Sequence, residues 1–129
     1  MGLISFDIDG TMAFGDPVGR IGIEAVIKAK ELGFIVGSAS DRTLDAQTKH
    51  WDNAGVGVDF VSLKHRLVDV KVQFPEGPHL HNGDSEMDRF FATQAGFDFM
   101  WVHELPNDGS LEWPGLVRKL DREEPDYRN

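Results

Sequence analysis

A chain of 129 residues fits one domain, spanning 1–129, long enough for a layered core and too short for two. Hydrophobic residues at 40% and charged residues at 27% describe an ordinary globular protein, and the lack of any cysteine excludes disulfides, thiolate chemistry and cysteine-ligated zinc. The net charge of −9 argues against a nucleic acid partner, and no run approaches the roughly eighteen apolar residues of a membrane span, so a cytoplasmic setting is expected.

Leu3-Ile4-Ser5-Phe6 predicts a first strand, and Asp7-Ile8-Asp9-Gly10-Thr11 emerges where it ends. After a loop containing Gly and Pro, the spacing of Ile23, Val26 and Ile27, with the stem of Lys30, predicts a helix over 21–32 closed by Gly33. A short apolar strand over 34–37 runs into Ser38-Ala39-Ser40-Asp41-Arg42. A helix over 43–54 is stopped by Gly55, a strand follows over 56–62, and a helix over 66–74 is closed by Pro75. A fourth strand is expected over 78–82, a helix over 86–95 stopped by Gly96, and a fifth strand over 97–102. Pro114 suits the first position of a last helix to about 120, and the charged stretch 121–129 predicts disorder. Alternation of this kind argues for an α/β fold, three-layered and Rossmann-like, with a central parallel sheet of about five strands and helices on both faces.

The carboxyl ends of the strands in such a sheet are where ligands bind. Asp7 and Asp9 stand at one such end, where Gly10 lets Asp9 and Thr11 fold back beside Asp7. A capped turn would use the same residue types, and a calcium loop would need its glycine sixth and an acid twelfth, whereas here Gly10 is fourth and Val18 twelfth. Gly83-Asp84-Ser85-Glu86-Met87-Asp88 supplies a second acidic strand end, although Asp84 and Asp88 also suit the start of a helix. Gathered on one edge, Asp7, Asp9, Asp84 and Asp88 repel by about 4 kcal/mol per close pair at an effective dielectric near 20, so a cation must offset them. A small set of oxygen ligands suits Mg²⁺, which keeps several waters and is completed by a substrate phosphate.

Ser40 and the backbone N–H groups around Asp41 open a helix N-terminus, a ready anion site, with Ser38 as a competing hydroxyl. Lys64 follows the third strand and can reach over the sheet edge; Lys71 is its rival, within the helix. His79 and His81 share a face of the fourth strand away from the site edge, which reads as core or interface packing, while His50, His65 and His103 are scattered. Trp51, Trp101 and Trp113 read as core residues or as a subunit contact.

In order, an Asp-x-Asp-Gly-Thr strand end, a strand-end Ser, a Lys and a Gly-Asp-x-x-x-Asp strand end resemble the haloacid dehalogenase superfamily of phosphohydrolases, from residue 3 to about 102. Ser40-Asp41-Arg42 looks like the family's Thr-Gly-Arg segment, with Asp41 in place of the usual Gly. The resemblance implies that Asp7 is a nucleophile forming an aspartyl-phosphate and that Asp9 is the general acid and base. It further implies that Ser40 and the N–H groups near Gly10 and Asp41 hold phosphoryl oxygens, and that Lys64 offsets charge. Asp7, Asp84 and the Asp9 carbonyl would ligate Mg²⁺, with Asp88 direct or through water. The family's usual cap has no room after the first motif or between Arg42 and Lys64, so an open site is expected, serving large substrates or bordered by a neighbouring subunit of a homo-oligomer. The substrate's identity is not written in the chain. A receiver-type signalling domain would carry its acceptor Asp after the third strand, where Val61-Ser62-Leu63-Lys64 has no acid, and an idle structural domain would not need Asp7 and Asp9.

Overall fold

The computed structural model describes residues 2–106 and 111–113. Five strands, β1 (Leu3–Phe6), β2 (Ile35–Ser40), β3 (Phe60–Leu63), β4 (His79–Gly83) and β5 (Asp98–Trp101), form one sheet in the order β3-β2-β1-β4-β5, with every neighbouring pair parallel. The central strand β1 is apolar in the manner of a strand covered on both sides: all four of its residues are buried. Its register sets Phe6 beside Ser38 on β2 and Asn82 on β4. The chain thus builds outward from β1 to β3, then crosses back over β1 to β4 and β5. That reversal makes the carboxyl ends of β1 and β4 the topological switch point, where an open sheet leaves a crevice.

Helices α1 (Ile23–Glu31), α2 (Leu44–Ala54), α3 (Leu67–Gln73) and α4 (Glu86–Gln94) cover the two faces. Ile4, Phe6, Val36 and Leu80 pack with Val26 and Ala29 of α1 and Trp51 of α2, while Leu3, Ala39 and Phe97 pack with Leu67 and Val70 of α3 and Ala92 of α4. The three-layer α/β architecture expected from the alternating pattern is therefore present. Thr43 caps α2 by accepting from the Ala46 N–H at 3.1 Å, and Ser85 and Asp88 form a reciprocal capping box on α4.

The differences are local. β2 runs on through Gly37 to Ser40, beyond the expected end at 37, because pairing on both sides outweighs the weak strand preference of small residues. Gly37 is needed there: a Cβ would stand 2.2 Å from the Phe60 carbonyl oxygen. β3 is shorter than 56–62, since Val56 still belongs to the helix end, its N–H donating to the Trp51 carbonyl at 3.1 Å. On α1 the buried face is Val26 and Ala29; Ile27, expected inward, is 40% exposed, and Lys30 extends to donate to the Gly57 carbonyl. A 3-10 turn, Lys64–Arg66, precedes α3. Trp51 and Trp113 are core residues, the latter donating from Nε1 to the Ala25 carbonyl at 2.7 Å. The expected helix over 114–120 and disorder over 121–129 lie outside the described residues.

Candidate active site

At the end of β1 the backbone turns sharply, with the N–H groups of Thr11 and Met12 both donating to the Ile8 carbonyl. Gly10 makes the turn possible with φ +76°, and a Cβ there would lie 1.9 Å from Oδ2 of Asp84. The loops following β1 and β4 are thereby pressed together at the switch point. One carboxylate oxygen from each of Asp7, Asp84 and Asp88 falls within 4.8 Å of the others. Asp7 and Asp88 are buried and Asp84 is exposed.

Lys64, buried at the start of its 3-10 turn, places Nζ 3.1 Å from Asp88 Oδ1, 3.5 Å from Asp41 Oδ2 and 3.6 Å from Asp7 Oδ1. Burial works against its charge, but Asp7 and Asp88 outweigh that and hold its pKa above the ordinary lysine value. The closer carboxylate receives most of the compensation. Burial would raise Asp88, yet the hydrogen bond from His81 and the charge of Lys64 hold it below the usual carboxylate range. Asp7 fares differently: burial first, then the charge of Asp88, push it up to about 8 against the pull of Lys64. One lysine does not neutralise two buried carboxylates, and Asp7 carries the deficit.

Asp9 stands outside this group. Its carboxylate turns to Arg42, whose Nε lies 2.9 Å from Oδ2 and whose Nη2 lies 2.9 Å from Oδ1, and it also accepts from the Asp16 N–H at 2.9 Å. Chiefly through the Arg42 bond, Asp9 is held below the usual carboxylate range. Arg42 is backed in turn by His50, with Nη1 3.1 Å from Nε2, and the His50 ring is stacked on Phe14 at 5.3 Å.

The competing hydroxyl and the competing lysine lie elsewhere. Ser38 Oγ donates to Gln47 Oε1 at 2.7 Å and accepts from Trp51 Nε1 at 2.9 Å, so it binds α2. Lys71 donates to the Gly96 carbonyl, in the turn that precedes β5 and hence at the opposite end of the sheet. Ser40 sits at the end of β2 and accepts from the Arg42 N–H at 3.1 Å, leaving its own proton free to be donated. Asp41 projects with its side chain 84% exposed.

Thr11 and Gly10 are engaged within their own loop. Thr11 is fully buried with its hydroxyl unpaired, because the loop folds over it so closely that a Cβ on Gly19 would stand 2.1 Å from the Thr11 carbonyl carbon. It does not sit open beside Asp7. The N–H of Gly10 itself donates to the Pro17 carbonyl.

Three residues near the site carry no site role in the sequence reading. Arg42 closes the Ser40-Asp41-Arg42 motif, and its adjacency to Ser40 is the signal that points to it. His50 had no such signal. His81, on the buried face of β4, donates from Nε2 to Asp88 Oδ1 at 3.0 Å and is joined to Ser5 Oγ at 2.8 Å through Nδ1. Its reading as plain packing is incomplete, since the first turn of α4 brings Asp88 back over the strand end. His79 is bonded to the Phe74 carbonyl, away from that network.

No described helix is long and apolar enough to cross a membrane. Comparison with protein-family models, with curated proteins and with solved structures finds no match to the chain.

Proposed function

We propose that the chain is a Mg²⁺-dependent phosphomonoester hydrolase of haloacid dehalogenase type, working through an aspartyl-phosphate on Asp7. The observation that carries this reading is the convergence of Asp7, Asp84 and Asp88 within 4.8 Å at the switch point, beside a buried lysine. Asp7 and Asp84 offer carboxylate oxygens, suited to a hard cation, and burial together with the charge of Asp88 pushes the pKa of Asp7 up to about 8, which a divalent cation would lower. Asp7, Asp84 and the Asp9 carbonyl would hold the ion, which supplies charge neutralisation between nucleophile and phosphate.

In this reaction an Asp7 oxygen bonds to phosphorus as the ester P–O bond breaks, and the leaving oxygen takes a proton from Asp9. Water then attacks the phosphoryl-enzyme, its proton passing to Asp9, which frees inorganic phosphate and restores Asp7. Lys64 and the Ser40 hydroxyl bind developing charge on the phosphoryl oxygens, which suits a reaction dominated by positioning and electrostatics. Asp9 as described is ionised and gripped by Arg42, the form required to accept a proton from water. To act as the acid it must first be protonated and leave Arg42. A phosphorylated substrate other than nucleic acid belongs to the same reading, supported by the net charge of −9, and a cytoplasmic setting is proposed with it.

Purified protein should hydrolyse an aryl phosphate with Mg²⁺ and lose all turnover with a chelator. No turnover on any phosphoester with Mg²⁺ would remove the enzyme reading.

A further inference from the structure

Asp88 has no oxygen lone pair to spare. Its Oδ1 accepts from His81 Nε2 at 3.0 Å and lies 3.1 Å from Lys64 Nζ. Its Oδ2 accepts from the Ser85 hydroxyl at 2.8 Å and from the N–H groups of Ser85 at 3.2 Å and Asp84 at 3.3 Å. An ionised carboxylate offers about four lone-pair positions, and five donors already converge on this one. A cation bound directly to Asp88 would have to displace one of them. Displacing His81 would strand an N–H that is completely buried, and displacing Lys64 would leave a buried ammonium with only its longer contacts to Asp41 and Asp7. Asp84, by contrast, is exposed, with its Oδ2 packed against Gly10.

The proton positions in this cluster follow from the donors. Every partner of Asp88 gives a proton, so Nε2 of His81 carries one. Burial disfavours the charged ring, leaving Nδ1 as an acceptor for the Ser5 hydroxyl. Ser5 on β1, His81 on β4 and Asp88 on α4 are thus joined by one directed path. A buried histidine with both nitrogens satisfied is often no more than a core residue. Here, however, its acceptor is the oxygen that also makes the shortest contact with Lys64.

We propose that Asp88 is a positioning residue that aims Lys64 toward Asp7 and does not ligate the metal, and that His81 fixes Asp88 for that task. The metal half of this inference rests on the phosphatase reading; the lysine half does not. Loss of the clamp lets Lys64 leave Asp7, which slows phosphoryl transfer without removing the ion.

Nuclear magnetic resonance on the full chain tests both halves. In the metal-free protein the Lys64 ammonium should give a slowly exchanging signal that is lost in His81→Phe and retained in His81→Gln, whose amide still donates to Asp88. The His81 Nε2–H signal of the unaltered chain should persist through a Mg²⁺ titration that shifts the amides of Gly10 and Asp84. In turnover of aryl phosphate, His81→Phe should lower kcat by roughly 10- to 100-fold with little change in KM, and His81→Gln should recover most of it. Disappearance of the Nε2–H signal at Mg²⁺ saturation overturns the proposal, as does an unchanged Lys64 signal in His81→Phe. Failure of the phosphatase reading looks different: no amide shifts with Mg²⁺ and no hydrolysis, while the Lys64 signal still responds to His81→Phe and supports the clamp.

Discussion

Arg42 grips Asp9 with two guanidinium nitrogens at 2.9 Å, although the two residues belong to loops following different strands. The parallel pairing of β1 with β2 sets those loops side by side, and the grip then decides the ionisation of Asp9. Both side chains are about one-third exposed, so the pair adds little stability, under about 1 kcal/mol. Its effect is on proton transfer. In Arg42→Ala, Asp9 should return toward its ordinary pKa, and because Asp9 must be protonated to release the leaving group, the basic limb of the kcat/KM profile should move to higher pH with a nearly unchanged melting temperature. A pH–rate profile whose basic limb stays in place would separate Asp9 from that limb.

Asp7→Asn removes the nucleophile and should abolish hydrolysis. It should also stabilise the metal-free protein, and the sign follows from linkage. Between the unfolded value of 3.8 and the folded value of about 8, the folded chain holds a proton on Asp7 that the unfolded chain has released. Wild-type stability therefore falls as pH rises through that window, by up to about 1.4 kcal/mol per unit. Asn has no such loss, so the melting temperature of Asp7→Asn minus that of wild type should grow from pH 4 to pH 8. Mg²⁺ should narrow the gap by favouring the ionised wild-type carboxylate. Asp88 has the opposite sign: its contribution is present above 3.8 and lost as pH falls below that value. A pH-independent gap for Asp7→Asn would show that Asp7 is ionised throughout.

Asp7, Gly10, Asp84 and Lys64 were legible in the sequence because each lies at a strand end, and strand ends follow from apolar runs and glycine punctuation. Ser40 over Ser38 was legible through the motif, and the structure adds the reason, since Ser38 is bonded to Gln47 and Trp51. What the sequence hid depends on contacts between distant segments. Ser5 and His81 are 76 residues apart and Asp9 and Arg42 are 33 apart, so neither pairing follows from local periodicity. The burial of Thr11 depends on how closely a glycine-rich loop returns, which composition does not fix. Ile27 faces outward because helical spacing admits two adjacent faces, and the sheet selects the one carrying Val26 and Ala29.

Among the described residues no inserted domain follows β1 or separates β2 from β3, and Asp41 stands out at the rim of the site. An uncovered site should accept phosphate groups on bulky carriers. A series of phosphomonoesters of increasing size should therefore show kcat/KM holding or rising with size. A steep fall with size would mean that the loop from Met12 to Gly19, or a neighbouring subunit, covers Asp7 in solution.

Gly10 and Gly55 share nearly the same backbone conformation, φ +76° and +74°, but only Gly10 has a neighbour where a Cβ would go. Alanine at either position should meet the left-handed dihedral penalty of roughly 1–2 kcal/mol. At Gly55, with nothing within 4 Å, the loss should end there, as a lowered melting temperature with full activity. At Gly10 the new methyl would also drive Asp84 Oδ2 out of its place beside Asp7. Gly10→Ala should consequently weaken Mg²⁺ binding and lower turnover by tenfold or more, on the order of the loss expected when a metal site's supporting geometry is disturbed. Comparing the two variants by thermal melting and by Mg²⁺ titration separates backbone strain from site displacement. Equal Mg²⁺ affinity in both would mean that the contact between Gly10 and Asp84 has no part in the site.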